Sequence, residues 1–135
     1  MGAKKLFQYY QPNKKDLKDE QGDCVIRTLT KALNEDWVTI FDKLVPIARE
    51  NQCMPNSKTC WEHLLSSCGF EYRGISNAKG TKRPTVESFA REHKTGTYVL
   101  RVAHHIVCVV DGKYYDTWDS GYKSLYGYWE AKHNG

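Results

Sequence analysis

The chain predicts an α+β domain on three observations. Helical periodicity runs from residue 24 to residue 93, β-rich runs replace it after Gly96, and an Asp-Gly pair at 111–112 joins two of those runs as a hairpin. Helices in the first part followed by strands in the second place helices packed on a C-terminal antiparallel sheet. A length of 135 residues suits one domain with one core, so residues 1–20 read as a polar N-terminal arm and 21–135 as a single domain.

The elements follow in order. The arm is expected to be loosely attached, although LFQYY at 6–10 has the composition of a short strand. From residue 24, Val25, Leu29, Ala32 and Leu33 share one helical face, with Asp23 as N-cap and Asn34 as stop. A second helix over about 36–50 buries Trp37, Ile40, Phe41, Leu44, Ile47 and Ala48, and Pro46 is expected to bend or break it. Ser57 caps a third helix carrying Trp61, Leu64, Leu65 and Cys68, closed by Gly69. The segment 71–83 has loop chemistry, and Thr85 caps a short fourth helix. TYVLRVA, HHIVCVV and KYYDTWD are then strands.

Composition narrows the function classes. Hydrophobic residues make up 40% and charged residues 27%, which excludes a disordered chain, and the net charge of +4 is spread among alternating acids and bases, so nucleic-acid binding is not indicated. The longest apolar run, IVCVV, is too short to span a membrane. Five cysteines (24, 53, 60, 68 and 108), an odd number, and an N-terminus without a signal-peptide core predict a reducing, cytoplasmic setting. Cys53, Cys60, His63 and Cys68 lie close in sequence but lack any Cys-x-x-Cys pair, so no metal site is expected.

The chemistry centres on QGDCVIRTL at 21–29. A thiol in the first turn of a helix meets unpaired N–H groups and the positive end of the helix dipole, both of which stabilise a thiolate. The same N–H groups, that of Cys24 included, can hold an oxyanion, and Gln21 can add a side-chain donor. The base comes from the hairpin. With Asp111-Gly112 as a two-residue turn, Val110 pairs with Lys113, Val107 with Asp116 and His105 with Trp118. His105 and Asp116 are then diagonal neighbours, the placement in which a carboxylate orients an imidazole, and Trp118 can shield them from water. A longer, bulged turn would instead set the alternative base, His104, beside Asp116. Turn chemistry favours His105, because the bulge would put the apolar Val110 in the loop.

With these residues in place, QGDCVIRTLTKAL resembles the nucleophile segment of OTU-type deubiquitinating peptidases, where Asp-Gly-Asn-Cys opens a helix; this chain has Gln21 and Asp23 at the two positions that differ. HIVCVVDGKYYDTWDS at 105–120 resembles the His and Asn/Asp strands of papain-like and C39-like cysteine peptidases, with DTW standing where papain-like enzymes have Asn-Ser-Trp. The resemblance implies the papain-like fold, cleavage of a peptide or isopeptide bond in a peptide or protein substrate through Cys24, His105 and Asp116, and no cofactor. Two alternatives share the same residues: an acyltransferase or transglutaminase-like enzyme, and an inactive papain-like binding module.

Overall fold

The computed structural model describes residues 5–16, 18–19, 21–76, 80 and 82–132. Helix α1 spans Cys24–Leu33 and ends at Asn34, whose left-handed φ of 56° lets its N–H reach the Thr30 carbonyl. Helix α2 (Trp37–Asn51) starts at Asp36, whose side chain accepts the Thr39 N–H at 2.8 Å. Pro46 does not break α2, which continues through it to Asn51. Helix α3 covers Lys58–Ser67 and is followed by Gly69 at φ +87°, as its position after the apolar pattern predicts. Cys68 departs from expectation: it caps α3 at the surface instead of joining the buried face. Helix α4 (Val86–Glu92) opens with a reciprocal capping box between Thr85 and Ser88.

The strands are β1 (Phe7–Tyr9), β2 (Phe70–Gly74), β3 (Thr97–Val102), β4 (His105–Val110), β5 (Lys113–Asp116) and β6 (Gly127–Ala131). They form one six-stranded sheet in the order β1-β5-β4-β3-β6-β2. Four of the pairings are antiparallel, and β1 joins β5 in parallel, so the sheet is mixed where an antiparallel one is expected. The arm is therefore not loose: β1 is hydrogen-bonded into the sheet, and Tyr10 Oη meets Thr30 Oγ1 of α1 at 2.7 Å. Residues 71–74 form part of β2, not loop; residues 77–79 and 81 of that segment lie outside the described residues.

Helices cover both faces of the sheet. Val99, Ile106 and Trp129 pack with the apolar residues of α1, α2 and α3. Leu100, Val102, Val107, Val109 and Tyr114 pack with Val86, Phe89 and Ala90 of α4. A strand buried on both sides needs apolar residues at every position, which explains the unbroken run IVCVV in β4.

The β4–β5 hairpin fixes the register. Val110 pairs with Lys113, Val109 with Tyr114 and Cys108 with Tyr115 across a two-residue turn. Asp111 and Gly112 both take positive φ, 49° and 81°, as a mirror-image turn demands. A Cβ on Gly112 would stand 3.3 Å from Lys94 Cα and 3.4 Å from the Ala90 carbonyl oxygen, in a backbone conformation that side chains disfavour. Gly112→Ala is accordingly expected to cost about 1–2 kcal/mol in urea unfolding; an unchanged midpoint would contradict this account of the turn.

Candidate active site

Cys24 is the first residue of α1 and is half-buried. Asp23 occupies the N-cap position, yet its carboxylate makes no capping bond. It is taken instead by the Arg27 guanidinium one turn on and by Trp37 Nε1 at 2.8 Å. The first-turn N–H groups, which have no partner within the helix, are thus left without a side-chain cap beside the thiol. Thr28 ties the helix to the sheet, its hydroxyl donating to the Ile106 carbonyl at 3.1 Å. That bond sets the start of α1 against the start of β4, where His105 stands.

His105 begins β4 and Asp116 ends β5, so the hairpin brings them to the same end of the sheet. His105 Nε2 donates to Asp116 Oδ2 at 2.6 Å, which leaves Nδ1 as the ring nitrogen available for its interaction with Cys24. Asp116 is itself fully engaged: Oδ2 also accepts the Ser120 hydroxyl at 2.8 Å, while Oδ1 accepts the Thr117 N–H at 2.8 Å and lies 3.8 Å from Arg27 Nη2. The ladder between β4 and β5 stops at Cys108–Tyr115, so Trp118 is not the cross-strand partner of His105 that the sequence predicts. It reaches His105 from the turn beyond β5, with ring centroids 4.9 Å apart, and covers the imidazole while remaining partly exposed itself.

The electrostatics favour an ion pair. Burial alone would push the His105 pKa down, but hydrogen bonds to Asp116 and Cys24, reinforced by their charges, lift it to about 9. Burial likewise raises Cys24, and the His105 imidazole, the Ile106 N–H and the Arg27 charge outweigh it, so the thiol lies below its ordinary value. A lowered thiol beside a raised imidazole favours the thiolate–imidazolium form of the pair over the neutral one. The two buried thiols behave oppositely: burial raises Cys60 and pushes Cys108 up to about 12.

Arg27 is the residue that sequence reasoning missed. It is buried between two buried carboxylates, Asp23 and Asp116, and so links the start of α1 to the group that holds His105. The signal was present as Asp23 and Arg27 four residues apart, a spacing that places both on one helical face. Arg27→Met would leave both carboxylates without their counter-charge and is expected to destabilise the protein by about 3–5 kcal/mol, measured by denaturant unfolding. Ser120, four residues after Asp116 and fully buried, was missed for lack of any local pattern.

Cys24 and His105 line a cleft of about 820 Å³ shared with Gln21, Trp118 and His104. Gln21 is exposed, and its backbone N–H is held by Asp16 Oδ2 at 3.0 Å. His104 sits in the two-residue turn between β3 and β4 with φ +54°, solvent-exposed. Asp119 accepts from the Tyr114 hydroxyl and the Gly121 N–H. Among the described residues, no group of three or more His, Cys, Asp or Glu side chains is arranged to hold a metal ion, and no helix is long and apolar enough to cross a membrane. Comparison of the chain with protein-family models, with curated proteins and with solved structures finds no match.

Proposed function

We propose that the protein is a thiol-dependent hydrolase of peptide or isopeptide bonds, built on a papain-like arrangement of helices and sheet. The observation that carries this reading is the chain of contacts from the helix-start thiol through His105 to a carboxylate on the neighbouring strand. In this mechanism the Cys24 thiolate attacks the carbonyl carbon, and the oxyanion forms against the uncapped N–H groups of the first turn of α1, with Gln21 on the same cleft wall. His105 gives its Nδ1 proton to the leaving nitrogen, the C–N bond breaks, and a thioester remains. Neutral His105 then takes a proton from water; the hydroxide attacks, the C–S bond breaks, and the acid departs as the thiolate and imidazolium are restored. Asp116 keeps the ring in place throughout.

Alkylation tests the proposal. Near pH 6 iodoacetamide is expected to label Cys24 selectively, with the exposed Cys68 as internal comparison and the label located by mass spectrometry. Uniform, slow labelling of the thiols would overturn the hydrolase reading.

The pH profile has a defined sign. Activity needs the thiolate and the imidazolium at once, so kcat/KM should rise with pH through the lowered Cys24 pKa and fall as His105 loses its proton at about 9. A rate still climbing beyond pH 9, as an ordinary free thiol would give, would contradict the paired state.

A further inference from the structure

The walls of the cleft carry cations that have no ion-pair partner among the described residues. Lys58, at the start of α3, and Arg101, on β3, both line it, and among the described residues neither has a carboxylate partner. Arg101 and Arg83 both lie over the ring of Tyr126, at 5.4 and 4.9 Å from its centroid, so two guanidinium groups converge on one aromatic that itself lines the cleft. The lining contains one acidic residue outside the Cys24–His105–Asp116 chain, Asp19, and its oxygens are occupied by the Tyr9 hydroxyl and the Gln11 amide. Like charges held together without a counter-ion cost free energy unless something anionic is brought to them.

We propose that the cleft selects substrates bearing a carboxylate beside the scissile amide, that is, acidic peptide segments. The inference rests on the hydrolase reading above and adds the substrate class. Arg101 supplies the anion-binding group on the sheet side, with Arg83 adding its charge from its place over the Tyr126 ring outside the lining, Tyr126 is the apolar floor on which the substrate stem packs, and Lys58 adds a second cation from the start of α3. A peptide fits the neighbouring chemistry better than a nucleic acid does, since a thiolate beside an imidazolium is suited to attack a carbonyl, which the phosphodiester backbone lacks.

Two alkylating agents of similar size separate the two claims. Iodoacetate carries a negative charge and iodoacetamide does not, so the ratio of their rates at Cys24, divided by the same ratio at Cys68, reads the field of the cleft. At low salt this quotient is expected to be about fivefold above one, to fall toward one in Arg83→Gln/Arg101→Gln, and to fall in the surface variant Lys58→Gln, whose exposed position leaves the fold undisturbed. Matched peptide amides with Glu or Gln beside the scissile bond are expected to differ about fivefold in kcat/KM in favour of Glu, with the gap closing in the same variants. A quotient near one in the unsubstituted protein, with Cys24 still fast toward iodoacetamide, overturns the acidic preference and leaves the hydrolase reading standing. Cys24 reacting no faster than Cys68 with iodoacetamide overturns both. Protection of Cys24 by a short single-stranded oligonucleotide but not by a poly-glutamate peptide overturns the peptide assignment in favour of nucleic acid.

Discussion

His105→Ala is expected to slow iodoacetamide labelling of Cys24 near pH 6 by roughly two orders of magnitude. The imidazole supplies the hydrogen bond and the positive charge that do most to hold the thiol below its ordinary value, and without them only the Ile106 N–H and the Arg27 charge oppose burial. An unassisted thiol is only about 0.3% ionised at that pH, and the downward shift of Cys24 raises that fraction. Hydrolysis should fall further than labelling, because alkylation needs the thiolate alone while amide cleavage also needs a proton for the leaving nitrogen. Equal losses in the two assays would show that His105 acts on the thiol only. No loss in either would remove it from the site.

Asp116→Asn should be nearly as damaging, although it keeps the size and shape of the side chain. Both oxygens of Asp116 accept here: Oδ2 from His105 Nε2–H and the Ser120 hydroxyl, Oδ1 from the Thr117 N–H, with Arg27 close by. An amide keeps a single acceptor oxygen: placed at the Oδ2 position, it leaves the NH2 group against the Thr117 N–H and Arg27, which can only donate, and turned the other way it makes His105 and Ser120 give up their donor roles. Desolvated donors left facing one another cost about 1–3 kcal/mol each, and the carboxylate charge that raises His105 is lost as well. We expect kcat/KM to fall by a factor on the order of 10³, with a loss of about 2–4 kcal/mol in denaturant unfolding and a lower His105 pKa in an NMR titration. Wild-type activity in this variant would mean that Ser120 and Arg27 can repack around an amide, and that the carboxylate is not required.

The part of the site most legible in the sequence was the part set by local chemistry. Asp111-Gly112 prescribes a mirror-image turn, the turn prescribes the register, and the period of two then carries Asp116 to the end of the sheet where His105 stands. Helix starts and stops at Asp36, Gly69 and Thr85 were legible for the same reason. What failed was non-local. Strands β2 and β6 contain glycine and charged residues and become strands by pairing with each other, while β6 also pairs with β3; none of this is written in either segment alone. Asp23 looks like a cap, but a buried Arg27 and the Trp37 indole compete for its carboxylate and win. That competition creates the buried link from α1 to Asp116, which no spacing rule announces.

The parallel pairing of β1 with β5 bears on when the site can exist during synthesis. Tyr9 is registered against Asp116 and the Tyr10 N–H bonds the Asp116 carbonyl, so a strand made before α1 pairs with one made after α4. A nascent chain that has emerged only through α4 holds Cys24 but neither His105 nor Asp116. Such long-range closure is slow in folding terms. On the hydrolase reading, Cys24 gains its partner His105 only once β4 and β5 have been made and have folded against α1.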